Sequence, residues 1–141
     1  MIPRKVECIL TEEQLRERCK YWQEVLRLQD WDVMVRLARG NGLDLPADSQ
    51  GRCNWSEQRR SALIRVVDHA DYDREIIHPQ NHEETLVHEL LHLKCAPFDT
   101  FKEDTAENTA MEQMIVSVAA ALVHLDREFR QRVDDVNSSG V

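Results

Sequence analysis

The sequence predicts an α+β fold: an N-terminal helix, a small mixed sheet of three strands or more, then two helices, the second of them long. Three observations carry this. Apolar residues recur at helical spacing near the start of the chain, alternate with polar ones through its middle, and return to helical spacing in the last third. Strands gathered early and helices gathered late are the α+β arrangement. Glycine and proline number only four each in 141 residues, and no internal repeat or linker interrupts the pattern. A single domain over residues 1–136 is expected, followed by a short flexible tail at 137–141, Asn-Ser-Ser-Gly-Val.

Each element has its own signal. Thr11, followed three residues later by Gln14, forms a capping box that opens the first helix, and Asp30 is the expected end. Within it Leu15, Cys19, Trp22, Val25, Leu26 and Leu28 mark one buried face. Trp31 to Leu37 alternates large apolar and polar residues, a strand pattern. Residues 39–48 are turn and loop chemistry, 51–56 a short strand and 61–68 a stronger one, with polar loop from His69 to Arg74. Pro79 suits the first turn of the next helix, and Asn81 with Glu84 supplies a cap. That helix should run to Lys94 or Cys95, before Ala96-Pro97. The last should begin at Glu103 or Asp104 and bury Met111, Met114, Ile115, Val118, Ala119 and Leu122.

Composition removes several classes of function. With 18 basic against 26 acidic side chains the net charge is −8, which opposes any extensive nucleic-acid binding. The most apolar stretch, Met114 to Val123, holds ten residues, whereas a membrane span needs about 20. No apolar core follows the first charged residues, so no secretory signal is visible and a cytoplasmic protein is expected. The four cysteines (Cys8, Cys19, Cys53 and Cys95) include no CxxC pair and are read as reduced, partly buried thiols.

The chemistry lies in His88-Glu89-Leu90-Leu91-His92, an HExxH motif. Residues four apart share a helix face, so the two imidazoles can hold one Zn²⁺ between them. Glu89 beside the first ligand is then placed to take a proton from water at the metal, as general base. Leu86, Val87, Leu90, Leu91 and Leu93 set the motif in a core helix. Catalytic zinc takes three protein ligands, and the candidates for the third are Glu103, Asp104, Glu107 and Glu112 on the last helix. Glu112, which borders the apolar stripe, is preferred, with Glu107 second.

HExxH followed by a glutamate helix resembles the gluzincin class of zinc metallopeptidases, the thermolysin type, in its minimal bacterial and phage form. In that class the third ligand is a glutamate separated from the second histidine by nineteen residues, the spacing of Glu112. The resemblance spans residues 31–125 and implies a zinc metallopeptidase acting on protein or peptide, with His88, His92 and Glu112 as ligands and Glu89 as base. The core is also similar to SprT-type metallopeptidases of nucleic-acid-associated proteins. Their third ligand is a histidine, for which His124 is available but distant from Glu112 in the helix. One departure stands out: Val116 occupies the position at which thermolysin-like enzymes orient the first histidine with an aspartate. Asp68, Asp71 or a backbone carbonyl would have to replace it.

The resemblance further implies an edge strand for substrate pairing, at 52–56 or on the following strand, and an oxyanion stabiliser among His69, Tyr72 and His78. Cys95 is read as a helix-end core cysteine, and Trp22, Trp31 and Trp55 as core or edge aromatics rather than a ligand cage. The basic run Arg127 to Arg132 is read as cations favoured at a helix C-terminus. A rival reading keeps the zinc but not the catalysis, in a regulatory or interaction module. Oligomeric state, substrate and cleavage preference are left open by the sequence.

Overall fold

The computed structural model describes residues 6–139. Helix α1 spans Glu12–Val25, strand β1 Asp32–Ala38, β2 Gly51–Ser56 and β3 Ser61–Val67; helix α2 spans His82–Lys94 and α3 Ala106–Ser139. The α+β expectation holds, with three strands in the order β1-β3-β2. The sheet is mixed, β1 running parallel and β2 antiparallel to the central β3.

The capping box at Thr11 forms in both directions, the Gln14 N–H donating to Thr11 Oγ1 at 3.1 Å and the Thr11 N–H to Gln14 Oε1 at 2.9 Å. α1 ends at Val25, earlier than Asp30, because the chain turns out in a Schellman motif. The Leu28 N–H donates to Gln23 O at 2.7 Å and the Arg27 N–H to Glu24 O at 3.2 Å, with Arg27 at φ 59° where glycine is usual.

Strand alternation decides which sheet face is covered. Val35, Cys53, Ala62, Ile64 and Val66 join one core with Leu15, Trp22, Leu86, Leu90 and Ile115. On the other face Arg36, Arg65 and Arg52 fall in one register row across the three strands. Asp44 pairs with Arg36 at 2.7 Å, and its loop buries Leu45 against Ala38 and Val67.

α2 is the central helix, packed on α1, the sheet and α3, and is buried on nearly every side. Asn81 caps it by accepting from the Glu84 N–H at 2.9 Å. Pro79 lies outside the helix, not in its first turn. Residues 80–82 are instead held alongside Cys8, whose N–H donates to Gln80 O at 3.0 Å and whose carbonyl accepts from the His82 N–H at 2.7 Å.

α3 starts at Ala106, not at Glu103 or Asp104, because Asp104 has a left-handed backbone at φ 61°. Thr105 caps it, accepting from the Asn108 N–H at 3.2 Å. Its buried face is Ile115, Ala119, Val123 and Asp126; Met111, Val118 and Leu122 are half-buried and Met114 is 44% exposed. The helix continues through Ser139, so 137–139 is helical rather than tail, while Gly140 and Val141 lie outside the described residues. Among the described residues no helix is long and apolar enough to cross a membrane.

Candidate metal centre

His88 and His92 stand one turn apart on α2, their ring centroids 5.0 Å apart. From α3, Glu112 reaches both: its Oε1 lies 2.7 Å from His92 Nε2 and its Oε2 3.4 Å from His88 Nε2. One ligand atom from each of the three residues lies within 4.8 Å of the others. Glu103, Asp104 and Glu107 are exposed and stand outside this cluster, as do Cys95, which caps α2, and half-buried His124.

The donor set fits a borderline cation such as zinc, which favours imidazole and carboxylate in threes. The fit also shows in the proton arithmetic. The Nδ1 of His92 lies 3.3 Å from Asp99 Oδ2. With that nitrogen donating, a neutral ring leaves Nε2 as an acceptor facing the Glu112 carboxylate at 2.7 Å. Two acceptors at that separation need a proton or a cation between them. Burial, then the neighbouring His92 ring, pushes His88 below the ordinary imidazole range, with Glu112 opposing.

Asp99 is a residue that sequence reasoning missed. It follows the short 3₁₀ turn Ala96–Phe98, which brings the chain back toward α2. It attends the second histidine rather than the first. Asp68 and Asp71, expected in that role, are engaged elsewhere. Asp68 caps a 3₁₀ turn by accepting from the Ala70 N–H at 2.9 Å, and Asp71 binds Arg39 at 2.6 Å and the Gly40 N–H at 3.0 Å. Val116 lies at the rim of the adjoining cleft.

Glu89 points into that cleft, a cavity of about 360 Å³ that it lines together with Gly51, Tyr72, His78, Thr85 and His88. It is only 7% exposed, and burial pushes its carboxyl up to about 7, with Glu112 adding to the rise and His92 opposing it. Gly51, the first residue of β2, makes the close approach possible. A Cβ there would stand 2.8 Å from Thr85 Cγ2, 3.0 Å from Arg65 O and 3.5 Å from Glu89 Oε1. Because β3 is paired on both sides, only β2 at the cleft remains of the two segments expected to offer an open edge. The Tyr72 hydroxyl donates to His78 O at 2.9 Å and both residues line the cleft; His69 binds Gln80 at 2.8 Å and is not among the lining residues.

A second polar cluster between α2 and α3 was not foreseen. Glu83 of α2 accepts from Arg18 at 2.5 Å, Trp22 Nε1 at 2.8 Å and Arg130 at 3.3 Å. Asp126 of α3 accepts from Arg18 at 2.8 Å, Arg130 at 2.9 Å and the Tyr21 hydroxyl. Arg130 thus answers buried carboxylates. The run Arg127 to Arg132 is not a helix C-terminus, since α3 continues to Ser139. Trp22, read as a core or edge aromatic, is buried and is also a hydrogen-bond donor. A signal for Asp126 was present: it follows Ile115, Ala119 and Val123 in helical phase, a carboxylate within the buried stripe.

Comparison with known protein families, curated proteins and solved structures finds no match to this chain.

Proposed function

We propose that the protein is a zinc-dependent metallopeptidase in which His88, His92 and Glu112 hold the metal and Glu89 is the general base. One observation carries the reading. Two imidazole nitrogens and a carboxylate converge within 4.8 Å beside a cleft that the buried Glu89 carboxyl lines. Zinc bound there would supply a Lewis acid that polarises a carbonyl and acidifies water. The chain supplies the rest. Asp99 orients His92 and fixes its tautomer. Glu89, held at a proton affinity near neutrality, can accept a proton from water and return it to a leaving amine. The open edge of β2 begins at Gly51 beside Glu89, where an extended peptide can add as a strand.

The test is Glu89→Gln in zinc-loaded protein against a mixed peptide library. Zinc content should match the parent while hydrolysis falls by about 10²- to 10⁴-fold. Hydrolysis undiminished in Glu89→Gln would remove Glu89 from the chemistry. A zinc-loaded parent that cleaves nothing would leave a zinc-binding module without peptidase activity.

A further inference from the structure

The far end of α3 bears an apolar stripe that no part of the described fold covers. Leu125, Phe129, Val133 and Val136 are 63%, 63%, 41% and 66% exposed, and Met114 at 44% lies in line with them. Half-buried Met111, Val118 and Leu122 complete the row. The steps between these positions are three or four residues and average about 3.6, so the stripe runs straight along one helix face. From Met114 to Val136 it extends about 33 Å on a helix about 10 Å across. It lies beside the Ile115-Ala119-Val123 face that packs on the core rather than upon it. Residues 128–139 are all exposed, Arg130 reaching back to Glu83 and Asp126. Single exposed apolar residues are ordinary, but a row of them along one helix face is the pattern of an interaction surface.

The charges flanking the stripe indicate its occupant. Glu128 and Arg132 sit four residues apart on one side of it, and neither takes part in any ion pair among the described residues. A twofold axis passing between them sets Glu128 of one copy against Arg132 of the other, twice over. The same axis brings Phe129 beside its counterpart and Leu125 close to Val136 of the second copy. Parallel packing would oppose Glu128 to Glu128 and Arg132 to Arg132. An anionic membrane is disfavoured by Glu128, Asp134 and Asp135 and by the net charge of −8. We propose that the protein forms a homodimer through antiparallel packing of the C-terminal turns of α3, a self-complementary interface.

Light scattering over a concentration series tests this. The parent should reach twice the 16.5 kDa mass of one chain. The double variant Leu125→Glu/Phe129→Glu should stay at the single-chain mass with an unchanged far-ultraviolet dichroism spectrum. Glu128→Arg or Arg132→Glu alone should weaken association by about tenfold, and the two combined should restore it. A parent that remains a single chain throughout overturns the proposal, as does a dimer indifferent to the Leu125/Phe129 variant or one the charge swap fails to restore. A single-chain parent that floats with phosphatidylserine vesicles would assign the stripe to a membrane instead. None of these outcomes depends on the metallopeptidase reading.

Discussion

α2 and α3 meet at two polar clusters, and the contrast between them separates scaffold from site. At one, Glu83 and Asp126 face Arg18 and Arg130: two carboxylates against two permanent cations, with Trp22 and Tyr21 as further donors. Charge and hydrogen bonding both close. At the other, Glu112 and the buried Glu89 face two imidazoles, of which His88 is driven toward its neutral form by burial. There the lone pairs converge without a matching charge. A closed polar cluster locks helices together, whereas two imidazoles and a carboxylate converging on one point are a donor set that can hold a metal ion.

The sharpest way to break the contrast is to open the closed cluster. Arg18→Met leaves two buried carboxylates short of a cation and should cost about 3–5 kcal/mol in urea unfolding. Zinc stoichiometry at the other cluster should be unchanged. Arg16→Ala, which removes only an exposed pair with Glu12, should stay within about 0.5 kcal/mol. Equal losses in the two variants would show that the buried network does not hold the helices.

A smaller effect is expected at the edge of the open cluster. If His92 is a zinc ligand as proposed, Asp99→Asn should weaken zinc binding by about 10- to 100-fold, since the second nitrogen of that histidine loses its carboxylate. Competition with a chromogenic chelator would read it. Affinity equal to the parent would mean that the Asp99 contact does not act on the site.

The smallest effect concerns His82, at the start of the same helix. Its Nδ1 accepts from the Leu10 N–H at 2.9 Å and its Nε2 donates to Val67 O at 3.1 Å, so the buried ring is neutral. Burial is the main cause holding it below the ordinary value of 6.5. The stability it contributes is whole above that pH and is lost as pH falls toward the folded value, because the unfolded chain binds the proton first. Between pH 7 and 5 the parent should lose stability more steeply than His82→Gln, by up to about 1.4 kcal/mol per pH unit. Parallel profiles would contradict this.

Much of this was legible in the residues themselves. The Thr11 and Asn81 caps, the limits of β2 and the HExxH face are local features, fixed by hydrogen bonds and spacing within a few residues. Glu112 was reachable because the resemblance singled it out by spacing, where helical phase alone left Glu107 open as well. What escaped depends on contacts between distant segments. Pro79 falls outside α2 because Cys8, far off in sequence, holds residues 80–82 extended. Asp99 acquires its role only through the turn that follows α2. Glu83 and Asp126 gain their partners only when Arg18 and Arg130, distant in sequence, reach them, and Met114, read as core, proves exposed because the buried face of α3 runs through Ile115, Ala119 and Val123.

The most direct test of the central claim is zinc per chain, measured after purification and zinc supply in the parent, Glu112→Ala and Glu107→Ala. The geometry predicts a ratio near one in the parent and in Glu107→Ala, and loss of tight binding in Glu112→Ala. A parent that holds no zinc, or a Glu112→Ala protein that binds it as tightly as the parent, would contradict the account.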